Sequence, residues 1–480
     1  MNKKALLSDL FEEWAGEEAS LVLPLAPSGS TRVYYRLKGA TKTAIGTFGS
    51  EKKENKAFVN FTNHFQKKGL PVPEIYAADL EKNIYLQEDL GATTLFSFLL
   101  QKGDDFPPHL VEIYKNVVQK LAETQIKGGK GLNYGDCYPR AAFDKQSMLW
   151  YFNTFKYYFL KLANIPFDEQ DLENDIHRFT DYLLQTDCSH FILRDFQSRN
   201  IMMRNGKPYF IDYQGGRKGA LQYDLASLLY QAKANIPFEI RRKLLNHYIE
   251  TAEKLTPINR EEFINYYYGY VLIRCIQTFG TYGFRGLYER KEHFLKSIPY
   301  AINNVKWILE NVKLNVEIPE LWKALETITQ TEMFQSFDLE KGSSSLLKVS
   351  VNSFSYKKGI PQDDSGNGGG FVFDCRALHN PGRYQPYKKL TGRDKSVIDF
   401  LKQHSSIDAF LNNIYYIVNP AVENYVERSF TNLMISFGCT GGQHRSVYAA
   451  DCMAKHLQQK FGIQVELNHI EQEAKNWENG

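Results

Sequence analysis

The residues best suited to chemistry lie between positions 195 and 212, where Asp195 is followed five positions later by Asn200 and then, past a short apolar-turn-apolar segment, by Asp212. An aspartate that accepts a hydroxyl proton, an amide oxygen and a second carboxylate, in that order, form the set used for phosphoryl transfer from a Mg²⁺-bound nucleotide. Oxygen donors of this kind are the hard ligands Mg²⁺ takes while it bridges phosphates, which makes Asn200 and Asp212 the metal ligands and Asp195 the base. Such residues work only if they converge. Phe191 to Leu193 reads as a strand that delivers the Asp195 loop, and Ile201 to Met203 and Tyr209 to Ile211 read as two more. The link between the latter two, Arg204-Asn205-Gly206-Lys207, contains the Asn-Gly hairpin signal, so the chain returns on itself and brings Asn200 to Asp212. Asp224, in Tyr223-Asp224-Leu225-Ala226, reads as a structural carboxylate that holds the catalytic loop.

Leu193-Arg194-Asp195 and Asp212-Tyr213-Gln214 stand where protein kinases carry His-Arg-Asp and Asp-Phe-Gly. Together with Tyr223 to Leu229 they resemble the aminoglycoside phosphotransferase superfamily of small-molecule kinases. Within it, the resemblance is to the AmgK-type kinases of the anomeric hydroxyl of N-acetylmuramate or N-acetylglucosamine. Ser28-Gly29-Ser30-Thr31-Arg32 with Tyr34-Tyr35-Arg36, Gln87 to Gly91, and Arg274 to Gly286 support it, over roughly residues 5 to 325. The resemblance implies an α+β, two-lobed, protein-kinase-like fold, ATP and Mg²⁺ as cofactors, and a sugar or amino sugar as acceptor. It places Ser28, Gly29, Ser30, Thr31 and Arg32 over the nucleotide phosphates, and Glu88 and Leu90 in the interlobe hinge that meets adenine. One expected residue is missing. Thr43-Ala44-Ile45-Gly46-Thr47 offers no lysine for the α- and β-phosphates, although its usual partner on the following helix is present as Glu54. Arg32, Arg36, Lys52 and Lys53 are the substitutes. The same gap supports an alternative, a regulatory RNA- or metabolite-binding adapter whose kinase domain is vestigial.

A second chemical segment lies near the other end. Leu433 to Phe437 reads as a buried strand, Gly438 to Ser446 as a tight loop, and Val447, Ala450, Ala454, Leu457 and Phe461 as one helical face. Strand, glycine loop and helix N-terminus form an anion site in which backbone N–H groups and the helix dipole face the ligand, with His444 and Arg445 as added donors. Cys439, five residues, then Arg445-Ser446 also satisfies the cysteine-phosphatase signature, with Asp374 as a proposed acid. A longer resemblance competes. Ser353 to Pro361, Phe373 to Arg376, Asn380-Pro381, Leu390 to Asp394 and Gly438 to Val447 resemble the C-terminal domain of the RNase adapter RapZ, over about residues 345 to 475. It implies a separate α/β domain that senses glucosamine-6-phosphate, binds a regulatory RNA and forms oligomers. Its site residues would be Cys439, Thr440, Gly441, Gly442, His444, Arg445 and Ser446, with Lys357 and Arg376. The P-loop nucleotide domain that precedes this module in RapZ is absent, since no Gly-x-x-x-x-Gly-Lys-Ser/Thr occurs. Lys357, Lys358, Arg376, Arg383, Lys388, Lys389, Arg393 and Lys395, interleaved with Tyr356, Tyr384 and Tyr387, suit RNA phosphate contact and base stacking.

At 480 residues and 43% hydrophobic, the chain exceeds one core, and a net charge of only +3 argues against nucleic-acid binding by bulk charge. Six cysteines without paired metal spacing, no signal peptide and no long apolar run predict a cytoplasmic protein with free thiols and no membrane segment. Composition divides the chain into a strand-rich nucleotide lobe (1–90), a helical lobe (91–335), a linker (336–345) and the RapZ-like domain (346–480). Asp363 to Gly370 reads as a mobile loop beside the phosphate site.

Overall fold

The structure is a computed structural model that describes residues 3–25, 32–100, 106–335, 347–363, 365–366, 369–428 and 430–479. The Ser28 to Thr31 loop and the 336–345 linker expected from the sequence lie outside the described residues, as does part of the 363–370 loop. The chain forms two compact units, Met1–Leu339 and Glu340–Gly480.

The first unit begins with helix α1 (Lys3–Ala15), then β1 (Leu21–Pro24), β2 (Val33–Lys38), β3 (Thr43–Phe48), α2 (Lys52–Gln66), β4 (Ile75–Asp79) and β5 (Ile84–Gln87). The strands make one antiparallel sheet in the order β1-β2-β3-β5-β4. Its two faces are committed differently because side chains alternate along each strand. Leu7, Leu10 and Phe11 of α1 pack on Leu37, Ala44 and Leu86. On the other face, Phe58 of α2 stacks on Tyr85 at 5.3 Å.

Helices dominate the rest of this unit: α3 (Leu95–Leu100), α4 (Pro108–Glu123), α5 (Lys145–Thr154), α6 (Glu169–Leu183), α7 (Gln222–Leu229), α8 (Phe238–Glu253), α9 (Arg260–Tyr282), α10 (Glu292–Leu295), α11 (Ile298–Asn311), α12 (Pro319–Gln330) and α13 (Glu332–Gln335). Between α6 and α7 lie β6 (His190–Ile192), β7 (Ile201–Arg204), β8 (Lys207–Phe210) and β9 (Arg217–Gly219). One apolar core runs from Phe58, Phe61 and Phe65 of α2 through Phe191 and Tyr213 to Tyr267 and Phe279 of α9, so α2 is packed into the same core as the helical lobe. Gly280 and Gly283 belong to that packing. A Cβ at Gly283 would lie 2.3 Å from the Tyr158 carbonyl oxygen, which explains the glycines of the Arg274 to Gly286 segment by close backbone approach.

The second unit comprises β10 (Lys348–Ser355), β11 (Gly370–Asp374), α14 (Lys395–His404), α15 (Ile407–Glu427), β12 (Asn432–Cys439), α16 (Arg445–Phe461), β13 (Gln464–His469) and α17 (Ile470–Glu473). Its four strands are all parallel, in the order β11-β12-β10-β13. Val349, Val351, Ile435 and Phe437 of the two central strands are buried with Ala450, Met453 and Leu457 of α16. In a parallel sheet of this kind, ligands bind at the carboxyl ends of the strands, where β12 runs into the Cys439 loop. All six cysteines are free thiols. Among the described residues, no helix is long and apolar enough to cross a membrane.

Candidate active site and anion loop

The hairpin expected from Asn205-Gly206 is present. β7 pairs with β8 from Ile201↔Phe210 to Arg204↔Lys207, and Asn205 and Gly206 both have positive φ, 51° and 73°, as a type I′ turn requires. Ile211 then donates its amide to the Asn200 carbonyl (3.1 Å), which sets Asp212 beside Asn200. The Asn200 amide nitrogen donates to the Asp195 carbonyl (2.9 Å) and to Asp212 Oδ2 (3.3 Å), so the three residues converge. With Nδ2 so engaged, Asn200 Oδ1 and the Asp212 carboxylate are the oxygens offered to a cation, a hard donor set that fits Mg²⁺ with phosphates completing its shell. Burial raises the Asp212 carboxyl above its ordinary value, while the Gln214 amide, donating at 2.8 Å, works against that shift.

Two of the site's backbones are strained. Arg194 and Asp212 have φ of 77° and 63°, the left-handed region that side chains other than glycine rarely adopt. Each is fixed from outside. Asp224, fully buried, accepts from the amides of Leu193 (2.7 Å) and Arg194 (2.9 Å) and from the Gln125 side chain (3.0 Å), which holds the catalytic loop as the sequence suggested. Burial pushes its carboxyl up to about 7, against the pull of those donors. Tyr213, next to Asp212, stacks on Phe58 of α2 at 5.0 Å and bonds the Thr62 hydroxyl at 2.6 Å.

The four candidate cations separate clearly. Arg36 clamps Asp89 (Nη2–Oδ1 2.7 Å) and the Gly91 carbonyl (2.9 Å), and so braces the hinge segment. Lys52 pairs with Glu81 on the surface at 2.6 Å, and Lys53 lies over the Tyr138 ring at 5.5 Å. Arg32 alone of the four reaches the site, with Nη2 3.1 Å from Glu54 Oε2 and Nη1 4.0 Å from Asp212 Oδ1. In the hinge, Glu88 donates its amide to Glu74 (2.8 Å) and pairs its carboxylate with Arg204, while Leu90 is buried.

Spacing did not reveal the guanidinium groups of Arg194 and Arg274, which face Asp195, or of Arg217 beside Arg194. Arg274 of α9 and Arg217 of β9 are buried and Arg194 is half-buried. Their hydrogen-bond partners are neutral groups: Arg274 donates to the Tyr223 hydroxyl (3.2 Å), Arg194 to the Tyr151 hydroxyl (3.4 Å), and Arg217 to the carbonyls of Gly215 (3.0 Å) and Tyr138 (3.3 Å). The Asp195 carboxylate lies within the field of Arg194 and Arg274.

In the second unit, the loop leaves β12 at Cys439 and enters α16 at Arg445. Burial would raise the Cys439 thiol, but the Ser446 hydroxyl, 3.1 Å from Sγ, the amides of Ser446 and Gln443 and the charge of Arg445 bring it below its ordinary value. Two of the side chains expected to meet an anion bond backbone carbonyls. Arg445 Nη1 donates to the carbonyls of Arg376 (3.0 Å) and Leu378 (2.9 Å), and His444 Nε2 bonds the Tyr387 carbonyl (2.8 Å). A buried guanidinium or imidazole needs acceptors, and these carbonyls supply them at Nη1 and Nε2, whereas Arg445 Nε is buried without a hydrogen-bond partner among the described residues. Arg376 lies over the Tyr356 ring at 4.0 Å and is bidentate to Asp374, whereas Lys357 is exposed. The Arg376 guanidinium holds the Asp374 carboxyl below the usual range, so Asp374 carries no proton to give at neutral pH, which weakens the phosphatase reading. Thr440 accepts from Ser355 Oγ at 2.8 Å. Gly442 has φ 63°, and a Cβ there would lie 2.4 Å from Glu471 Cγ, while a Cβ at Gly441 would meet nothing.

Residues 22–261 match the phosphotransferase enzyme family, and residues 347–473 match the RapZ C-terminal domain. The first match takes in half of the chain. The chain belongs to the phosphotransferase enzyme family and carries a RapZ C-terminal domain as a separate unit. It is similar to a nucleotide-binding protein of Dinoroseobacter shibae, 41% identical over 125 residues, which covers 26% of this chain and 40% of that protein. A nucleotide-binding protein of Fervidobacterium nodosum is 30% identical over 195 residues, covering 38% and 67%. The chain therefore spans less than half the length of the first of these relatives. Among solved structures, a choline kinase from Cryptosporidium parvum aligns with a TM-score of 0.47 and 13% identity over 67% of this chain and 98% of its own. A choline kinase from Streptococcus pneumoniae aligns with a TM-score of 0.41 and 16% identity over 65% and 100%.

Proposed function

We propose that the first unit is an ATP- and Mg²⁺-dependent kinase of a sugar hydroxyl, with an amino sugar phosphorylated at its anomeric position as the acceptor. The observation that carries this is the convergence of Asp195, Asn200 and Asp212 on one loop-and-hairpin frame. Asp195 accepts or orients the acceptor's hydroxyl proton, and Asn200 and Asp212 hold the cation. When bound, Mg²⁺ would neutralise charge on the transferring phosphoryl group, and the protein's own work is positioning. The hinge from Glu88 to Leu90 supplies backbone groups for adenine. A vestigial domain would not be expected to keep a buried arginine between Glu54 and Asp212.

Arg194, Arg217 and Arg274 outnumber the Asp195 and Asp224 carboxylates that act on them, and this excess of positive charge favours an acceptor that brings its own negative charge. Of the two amino sugars, N-acetylmuramate carries a carboxylate and N-acetylglucosamine does not. Arg274→Gln is expected to lower the ratio of kcat/KM for N-acetylmuramate over N-acetylglucosamine about tenfold, the equivalent of ~1.4 kcal/mol. Steady-state ADP release with both sugars checks this, and an unchanged ratio would remove the charge argument.

We assign the Cys439–Ser446 loop of the second unit to a phosphosugar such as glucosamine-6-phosphate, held through loop amides. Exposed Lys357, Arg383, Lys388 and Lys389 provide the surface on which RNA would be contacted. Gly442→Ala forces a left-handed backbone on alanine and drives its Cβ into Glu471, so it should weaken phosphosugar binding about tenfold or more. Gly441→Ala should leave binding unchanged. Calorimetric titration of both variants with glucosamine-6-phosphate checks the pair, and equal affinities would contradict the assignment.

A further inference from the structure

We infer that Arg32 takes the place of the missing strand lysine, presenting to the nucleotide α- and β-phosphates a cation that Glu54 holds in place; the inference rests on the kinase reading above. The sheet shows why β3 supplies no such cation. Tyr34, Thr47 and Tyr85 are cross-strand neighbours on the face turned to α2. Thr47 is fully buried between these two tyrosines. On the opposite face, a Cβ at Gly46 would lie 2.6 Å from Leu37 Cδ1 and 3.0 Å from Leu7 Cδ2, so that side is filled by α1. At Gly46 and Thr47, therefore, β3 cannot carry a long cationic side chain without displacing its packed neighbours.

Arg32 precedes Tyr34 by two residues and so shares its face. Its side chain is 3% exposed and donates to Glu54 (3.1 Å) in the first turn of α2. Its other terminal nitrogen stands 4.0 Å from Asp212 Oδ1, the carboxylate assigned to the metal. Arg32 thus links the helix glutamate to the metal ligand, the place where a phosphate-neutralising cation must stand. A guanidinium suits this divided duty. Its planar fork keeps one edge on a carboxylate while the other meets two oxygens, whereas an ammonium concentrates its charge at one point.

Three variants test the role: Arg32→Met, Arg32→Lys and Glu54→Gln. ATP affinity, kcat, KM for ATP and KM for the acceptor are measured for each, with circular dichroism and melting to monitor the fold. Arg32→Met is expected to lower kcat/KM for ATP about 10²-fold or more, with KM for the acceptor within about twofold of wild type. Arg32→Lys should recover only part of the loss, and Glu54→Gln, which leaves the arginine in place but unties it, should raise KM for ATP about fivefold. A purely structural arginine would instead lower stability and leave the split between ATP and acceptor parameters unmoved. If Arg32→Met fails to fold, Glu54→Gln decides, an unchanged KM for ATP overturning the inference. Wild-type turnover with Arg32→Met within about threefold of it would overturn this inference alone. Wild-type protein that neither binds nor turns over ATP would remove the kinase reading and this inference with it.

Discussion

Asp212→Asn should reduce turnover about 10³-fold or more, the loss expected when a metal that contributes several kcal/mol of charge stabilisation loses its carboxylate. The fold should survive the change. Asp212 sits at φ 63°, and asparagine is the non-glycine residue that tolerates this conformation best. Its bond from Gln214 reaches Oδ1, an oxygen that asparagine retains, and Asn200 Nδ2, which loses its acceptor at Oδ2, keeps its bond to the Asp195 carbonyl. Removing the charge also removes the desolvation cost of burying an ionised carboxylate, the cause that pushes this group upward, so the melting temperature should hold or rise slightly. Asp195→Asn, at an exposed position, should likewise leave the melt unchanged and lower kcat about 10²–10⁴-fold, the usual share of a proton-handling side chain. Residual turnover of Asp212→Asn within about tenfold of wild type, only ~1.4 kcal/mol, would contradict the ligand assignment.

Asp224→Ala should fail in a different way. The substitution leaves the Leu193 and Arg194 amides without their buried acceptor and exposes Gln125 to the same loss, a cost of about 2–4 kcal/mol. The Arg194 backbone at φ 77° then lacks the bond that holds it, and the loop bearing Asp195 drifts. Stability and kcat should fall together, whereas Asp195→Asn lowers kcat alone. Thermal melts beside steady-state kinetics separate the two, and an Asp224→Ala protein with wild-type melting would show that the loop is anchored elsewhere.

What could be read from the sequence was local. Asn205-Gly206 dictates a turn within two residues, so the convergence of Asn200 and Asp212 followed from spacing. The role of Asp224 was legible from its place in the Tyr-Asp-Leu-Ala segment past the catalytic hairpin, whereas its full burial was not. Long-range pairing was not legible. Arg32 and Glu54 are 22 residues apart and meet only because β2 and β3 are pleated with Tyr34 opposite Thr47, so Arg32 could be named as a candidate but not chosen over Arg36. Arg36 belongs to Asp89, 53 residues on, a partner no local pattern announces. The carbonyl acceptors of Arg445 and His444 lie 57 to 69 residues earlier in the chain, so these bonds could not be read from the loop itself. The cluster of Arg194, Arg217 and Arg274 joins a loop, a strand and a helix. Its signal was an arginine in the α9 segment that carried the family resemblance, without any spacing to tie it to Asp195. The glycines of that segment were read as motif and proved to be packing, since Gly283 lies against the Tyr158 backbone.

The most direct test of the kinase assignment is ADP release with ATP and Mg²⁺ across N-acetylmuramate, N-acetylglucosamine, glucosamine and aminoglycosides, with Asp195→Asn as the blank. The geometry predicts turnover of an amino sugar, N-acetylmuramate foremost, that is absent from the blank. Equal signals from wild type and Asp195→Asn with every acceptor would contradict it.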